Sequence, residues 1–289
     1  MLDLVTAGEA FDDFIFHGLT HLPRRGEELK TTRFWRSPGG GAVITAVAAS
    51  RLGLRCGILS GVSRDTARML RAEGVQVNNL RRAREPAALS VAISTPRDRS
   101  FVTFIGMNDR LPPRLRAGLT RFRAHHVHMA FIPRRCRPWI AVVERLRRLG
   151  TTTSWDFGWH PALRGDRDFA GLAESVDYLF VNRDEAMLYA KARTFGRALE
   201  RWRRAPRCVV VKLGASGSRA VGRAVNVRAA AVRVHVVDTT GAGDAFNAGF
   251  LVARLRGRHV PAALRLANRI GALSTRRPGG IAGLPKMAS

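Results

Sequence analysis

The stretch that decides the fold is Asp238-Thr239-Thr240-Gly241-Ala242-Gly243-Asp244-Ala245-Phe246. A β-prone run, VRVHVV at 232–237, leads into it, and a helical pattern, AFNAGFLVARL at 245–255, leads out. The expected unit is therefore strand, tight turn, helix. Small residues at 241–243 let backbone N–H groups converge without Cβ interference at the positive end of a helix dipole. Such a turn stabilises an anion, including the charge that develops on a phosphoryl group in transit. Asp244, just inside the helix, is placed to accept a proton from an incoming hydroxyl. GAGD alone is equally a glycine-rich turn with a capping aspartate; the nine-residue string is far more specific.

Outward from this unit the chain alternates. LDLVT (2–6), CGILSGV (56–62), HVHMAF (126–131), TTTSWDF (151–157), VDYLFVN (176–182) and RCVVVKLG (207–214) read as strands. Helices are expected after Gly39-Gly40-Gly41 up to Gly53, and over 138–149, 184–190, 195–203, 242–255 and 261–275. That alternation implies a largely parallel sheet covered by helices on both faces. It is interrupted by a β-prone pair, 87–94 and 100–105, around the turn-like Pro96-Arg97-Asp98-Arg99, and further β-prone pieces lie at 218–221 and 231–237.

The length of 289 residues suits one large domain, and 46% apolar residues exclude a wholly disordered chain. Cys56, Cys136 and Cys208 lie far apart without metal spacing, so neither a disulfide framework nor a zinc site is expected. The N-terminus lacks a basic region followed by a long apolar run, and no stretch reaches the roughly 18 apolar residues of a spanning helix. A cytoplasmic protein with no membrane partner is the expectation. The net charge is +27; of 49 basic residues four are lysines, Lys30, Lys191, Lys212 and Lys286, which leaves 45 arginines. This balance invites a nucleic-acid reading, but the arginines recur along the whole chain, chiefly on expected outer helix faces, and none sits in a nucleic-acid motif.

With both ends of the chain in view, the sequence resembles the PfkB carbohydrate kinases, the ribokinase-like family. The resemblance rests on DTTGAGDAF, GEAFDD (8–13), PGGGAVITAVAASRLG (38–53), NRDE (182–185) and VVVKLGASG (209–217), and covers nearly the whole chain. It implies a three-layer α/β/α domain over residues 1–289 with a mostly parallel sheet and a small β lid from about 12–36 and 86–106. It implies ATP-dependent transfer of a phosphoryl group to a hydroxyl of a sugar or sugar derivative. Gly241, Ala242 and Gly243 would form the anion hole, and Asp244 the base. Asp13, with Asp12 its adjacent rival, would grip sugar hydroxyls; the backbone of Gly39, Gly40 and Gly41 would lie against the sugar, and Asn108 would touch the substrate. Lys212, Gly214, Gly217 and Asn268 would face the nucleotide. Asn182 and Glu185 would organise Mg²⁺ largely through water, although the same pair is a sensible helix capping box. An ungapped match also implies a monovalent cation such as potassium near Asp238, Thr240, Ser274, Arg277, Gly279 and Gly283. Ile44 departs from the pattern, standing where most members have an asparagine that bonds the substrate.

Some residues stay open. His125, His126 and His128 form H-H-x-H; alternation puts His126 and His128 on one face, but no third ligand is evident, which favours core histidines over a metal. Asp156 either assists at the cleft or caps its turn. A nucleoside kinase of the same family is the alternative acceptor class. A nucleic-acid-binding protein on a kinase-like fold is the alternative of another class. An exposed lid edge would also suit a homodimer.

Overall fold

A computed structural model describes residues 1–95, 99–119 and 121–286, with only the backbone at Arg99. The expected turn at Pro96-Arg97-Asp98 lies outside the described residues. In chain order the elements are β1 (Leu2–Gly8), β2 (Phe11–His17), β3 (Arg33–Gly39), α1 (Gly41–Arg51), β4 (Cys56–Ser60), α2 (Arg64–Ala72) and β5 (Gln76–Asn79). Then come β6 (Leu89–Ser94), β7 (Arg99–Phe104), α3 (Leu111–Leu119), β8 (Ala124–Ala130), α4 (Arg137–Arg148), β9 (Thr152–Asp156), α5 (Phe169–Ser175) and β10 (Tyr178–Asn182). The last are α6 (Arg183–Tyr189), α7 (Phe195–Trp202), β11 (Cys208–Lys212), β12 (Ser218–Gly222), β13 (Val225–Ala229), α8 (Ala242–Leu255) and α9 (Val260–Ser274).

Nine strands form one sheet in the order β13-β12-β11-β10-β9-β8-β1-β4-β5, parallel except for the antiparallel β11–β12–β13 edge. Its strands alternate buried side chains between two cores. One, around Trp155, Val181 and Leu146, lies under α3–α7; the other, around Phe180, Val47 and Phe250, lies under α1, α2, α8 and α9. Burial on both faces explains the near-continuous apolar runs of β10 and β11. Where α8 meets α9, a Cβ at Gly249 would stand 3.0 Å from the Ala267 Cα, so small residues set the close approach of these helices.

A second, small sheet of four strands has the order β3-β2-β6-β7. Its β6–β7 pair is the expected hairpin, with Leu89 opposite Phe104. β2 runs parallel to β6 and antiparallel to β3, placing Asp13, Ser37 and Ser90 side by side.

The strand expected at 231–237 is not formed. The sheet ends at Ala229, and residues 230–237 run irregularly, attached by the Val237 N–H to the Thr275 carbonyl at 2.8 Å. The segment does not pair with the open edge of β13; Val232, Val234 and Val236 line a neighbouring cleft instead. The β strand before the turn, Val225–Ala229, and helices α3 and α5 are elements the periodicity did not mark. The Pro112-Pro113 pair disguises α3, since proline is tolerated in a first helical turn.

Candidate active site

The site lies at the C-terminal ends of the parallel strands, where β1, β9, β10 and β11 deliver their last residues and α1, α6 and α8 begin. Three features of sequence build its centre. Gly241 adopts φ 72°, which only glycine takes without strain, and this starts α8 abruptly. The Ala242 N–H turns back to the Thr239 carbonyl at 3.2 Å, whereas the N–H groups of Gly241 and Gly243 make no backbone hydrogen bond among the described residues. Asp238 pins the approach: its carboxylate accepts from the Thr240 and Gly279 amides, each at 2.8 Å.

Opposite the turn stands the run Gly39-Gly40-Gly41, and here the glycines are needed for space. A Cβ at Gly39 would lie 1.9 Å from Asp13 Oδ2, and one at Gly41 would lie 2.8 Å from Asp244 Oδ1. Gly40, at φ 96°, would strike the Glu9 carbonyl. Asp13 and Asp244, 231 positions apart in sequence, are thus brought to the two ends of one glycine ledge. Asp12 and Asp13 point to opposite surroundings, Asp13 lying against the Gly39 backbone. Asp12 Oδ1 accepts from the Ser63 hydroxyl at 2.9 Å and the Thr66 hydroxyl at 2.5 Å, which ties it to the start of α2. Asn108 is buried and donates Nδ2 to the Ala10 carbonyl at 3.1 Å, bracing the β1–β2 connection beside this ledge.

Ile44 does not face the ledge. Its side chain packs beneath the turn, where a Cβ at Gly241 or Gly280 would come within 2.7 or 2.5 Å of its Cδ1. Ile44 therefore shapes the floor beneath the Gly241 turn.

Charge is concentrated in the middle of the site. Lys212, last in β11, pairs with Asp156 Oδ2 at 2.6 Å and lies 3.2 Å from where a Gly243 Cβ would be. The Asp156 carboxylate also accepts from Asn247 Nδ2 at 2.7 Å and from the Gly158 amide at 3.1 Å. Burial works against the Lys212 ammonium, but Asp156, Glu185 and Asp244 outweigh it and raise its pKa. Burial likewise works against Asp156, yet Lys212 and the Asn247 bond hold that carboxyl below its usual range. For Asp244, burial and the neighbouring Asp156 dominate; Lys212 opposes them and Glu185 adds to them, and the carboxyl rises to about 7. A base poised near neutrality suits proton abstraction.

Asn182 and Glu185 form the capping box: Asn182 Oδ1 accepts from the Glu185 amide and Glu185 Oε2 from the Asn182 amide, both at 2.8 Å. Burial, then Asp156, raise the Glu185 carboxyl. Three carboxylates around one ammonium leave excess negative charge, a setting that fits a divalent cation. Among the described residues no group of three or more His, Cys, Asp or Glu is arranged to hold a metal directly, so the fit is to a cation carried mainly by phosphates and water.

Beside the turn lies a cleft of about 760 Å³, within the range of small-molecule sites, lined by Lys212, Gly214, Gly217, Val236, Gly243 and Asn268 among others. Val232, Val234 and Val236 of the irregular segment give it an apolar wall. Asn268 spends its Nδ2 on the Ala230 carbonyl at 2.8 Å and so anchors that segment. Gly217, at φ 85°, is required because a Cβ would meet the Ala229 carbonyl at 2.1 Å. Ser274, Gly279 and Gly283 gather near Asp238; a Cβ at Gly283 would lie 2.1 Å from the Ser274 carbonyl, and the Arg277 side chain is exposed. His126 and His128 are buried on the face toward α8 and bond Thr152 and Ser154.

The description "pfkB family carbohydrate kinase" fits a family model that matches residues 1–287. The chain belongs to the pfkB family of carbohydrate kinases. This PfkB kinase is 28% identical to an ATP-dependent ribose-1-phosphate kinase of Halopiger xanaduensis, over 96% of this chain and 94% of that protein. It is 29% identical to the ribokinase of Bacillus subtilis, covering 91% and 89% of the two chains. The adenosine kinase of Sinorhizobium meliloti superposes with a TM-score of 0.82 at 25% identity, covering 97% and 95%. The PfkB kinase is thus a phosphotransferase with an alcohol group as acceptor, of a family that uses ATP, and its three-layer fold with a separate small sheet is that of ribokinases. No helix of the described residues is long and apolar enough to cross a membrane.

Sequence reasoning missed Asn247 and the Lys212–Asp156 pair. Asn247 had a signal: it stands three residues past Asp244, on the same face of α8. The pair had none, because 56 positions separate its members.

Proposed function

We propose that this chain transfers the γ-phosphate of ATP to a hydroxyl of a sugar or sugar derivative, with Asp244 as general base. The observation that carries the reading is the placement of Asp13 and Asp244 at opposite ends of the Gly39–Gly41 ledge, beside the start of α8. A carboxylate at Asp13 accepts from vicinal hydroxyls and orients the acceptor. Asp244 takes the proton of the reacting hydroxyl; the oxygen forms a bond to the γ-phosphorus, and the bond to the β,γ-bridging oxygen breaks to release ADP. The amides of Gly241 and Gly243 and the Lys212 ammonium face the developing charge, while the Ala242 amide holds the turn through the Thr239 carbonyl. Lys212, Gly214, Gly217 and Asn268 border the nucleotide, whose base lies against the 232–236 valines.

Asn182 and Glu185 would hold Mg²⁺ through water, and the ion supplies charge neutralisation on the phosphates. Potassium, or a similar ion, would be held by oxygens around Asp238, Thr240, Ser274, Arg277, Gly279 and Gly283; equal rates with sodium and potassium would remove it from the account. The whole of 1–289 acts as one kinase domain, closed by the lid segments 12–36 and 86–106. The outer lid face, with Phe34, Val102 and Phe104 about half exposed or more, suits a homodimer, which sedimentation in solution would test by mass. Spread arginines and buried free thiols at Cys56 and Cys136 fit a cytoplasmic enzyme with no nucleic-acid partner.

Likeness to an adenosine kinase favours a nucleoside acceptor as the second reading. A panel of D-ribose, D-fructose, ribose 1-phosphate, 2-dehydro-3-deoxygluconate and adenosine with ATP and Mg²⁺, read as ADP formed, separates the two. Turnover of a sugar member supports the proposal; turnover of adenosine alone supports the nucleoside reading, and turnover of none of a widened panel overturns both.

A further inference from the structure

The core between the sheet and α8 contains a line of polar side chains that the proposed chemistry leaves unused. His126 and His128 alternate along β8, and both rings contact the Ser154 hydroxyl on β9 at 2.8 Å. The other nitrogen of His126, Nδ1, lies 2.8 Å from the Thr152 hydroxyl, which donates to the His125 carbonyl at 3.1 Å. Burial lowers the pKa of His126 to about 3 and that of His128 to about 4, so each ring is neutral and carries one proton.

The directions of these bonds then follow in order. Thr152 has given its only hydrogen to a carbonyl, so His126 Nδ1–H donates to Thr152. His126 Nε2 is therefore bare and accepts from the Ser154 hydroxyl. Ser154 has no further hydrogen, so His128 Nδ1–H donates to it. His128 Nε2 is left as a bare acceptor, buried and without a protein partner.

Two more buried atoms without a protein partner lie on the same side of the sheet, Thr6 Oγ1 and Asn247 Oδ1. Thr6 is the register neighbour of His128 on the adjacent strand, which places their side chains together. The His128 ring packs edge-on against Phe180, which in turn meets Phe250 of α8, one turn beyond Asn247. Asn247 Nδ2 is committed to Asp156, which fixes the amide with Oδ1 facing away from that carboxylate. The three atoms amount to two acceptors and one hydroxyl. One water donating to His128 Nε2 and Asn247 Oδ1 and accepting from Thr6 would satisfy all of them, in keeping with the rule that buried polar groups are paired.

We propose that Asn247, fixed by an internal water shared with Thr6 and His128, is a positioning residue that holds Asp156 and, through it, sets the Lys212 ammonium beside Gly243. The inference rests on the kinase reading above. Asn247 and Lys212 share Asp156 Oδ2, at 2.7 and 2.6 Å, so moving the amide moves the ammonium.

Two measurements test it on the full chain. A high-resolution crystal structure is expected to show a water within hydrogen-bond reach of Thr6 Oγ1, His128 Nε2 and Asn247 Oδ1; direct bonds among the three atoms, or an empty space, would overturn the inference. Kinetics on the acceptor panel are compared for wild type, Asn247→Leu and Asn247→Asp, with thermal melting as the check on folding. Asn247→Asp keeps the shape but replaces the donor to Asp156 with a like charge. Both variants are expected to lower kcat by about 100-fold with the KM for ATP changed less than about threefold. If Asn247→Asp folds and keeps the wild-type kcat, Asn247 is only packing. Where Asn247→Leu fails to fold, Asn247→Asp decides. Should the wild type phosphorylate no acceptor, the kinase reading is what fails, and the crystallographic water still decides the positioning inference.

Discussion

Replacing Lys212 by methionine removes the ammonium from among Asp156, Glu185 and Asp244 while keeping most of the side-chain volume. Two unit charges about 5 Å apart interact by about 3 kcal/mol at an effective dielectric near 20. Asp244 is partly open to the cleft, so solvent screening removes a good part of this. At about 1.4 kcal/mol per pKa unit, the carboxyl of Asp244 rises by about one unit from its wild-type value of about 7. A base works deprotonated, so with Asp244 as the base wild-type kcat/KM is expected to rise with pH through about 7 and then level. In the variant the rising limb shifts to higher pH, and the deficit is larger below neutrality than above it. The assay is the initial rate of ADP formation across pH with ATP and the preferred acceptor. The midpoint is read independently of the plateau, which also falls if Lys212 touches the phosphates. The substitution leaves Asp156 buried without its cation, a loss of about 3 kcal/mol, and adding Asp156→Asn restores the melting temperature without restoring activity. A limb that stays in place or moves to lower pH would refute the electrostatic reasoning.

Further outcomes follow from the same geometry. Gly39→Ala drives a methyl into the Asp13 carboxylate and raises the acceptor KM at least tenfold, with a smaller effect on the KM for ATP, both read from initial rates. Glu185→Gln keeps the shape of the capping residue but removes a negative charge, so the Mg²⁺ concentration for half-maximal rate rises severalfold with little change in melting temperature. Val236→Asp places a charge in the apolar wall of the cleft and raises the KM for ATP about tenfold. Ile44→Asn buries an amide under the 241 turn and costs about 2 kcal/mol by denaturant titration, without widening the acceptor range.

What the sequence made legible was local. The start of α8 at Ala242 followed from three small residues before a helical pattern, and the lid hairpin from two β-prone runs around a turn. The preference for Asp13 over Asp12 followed spacing alone; that Asp12 bonds Ser63 and Thr66 was not legible, because those partners lie more than 50 positions away. What stayed hidden depends on partners distant in the chain. Asp156 and Asn247 are 91 positions apart, and no pattern in either segment announces that they meet. The valines at 232–237 have strand propensity, but the segment is tied to the α9 side through Asn268 and Thr275, so tertiary context overrode it. Ile44 was legible as a departure from the family pattern; that its side chain turns beneath Gly241 was not, because its neighbours come from the far end of the chain. The +27 charge, prominent in composition, says less about function than these few buried contacts.

The central claim is that Asp244 removes the proton from the acceptor hydroxyl. The most direct measurement is turnover of Asp244→Asn beside the wild type on the preferred acceptor, with ATP and acceptor binding measured separately by calorimetry. The expected result is binding within a few-fold of wild type and a kcat lower by about 10²–10⁴-fold. An Asp244→Asn protein that turns over at the wild-type rate would contradict it.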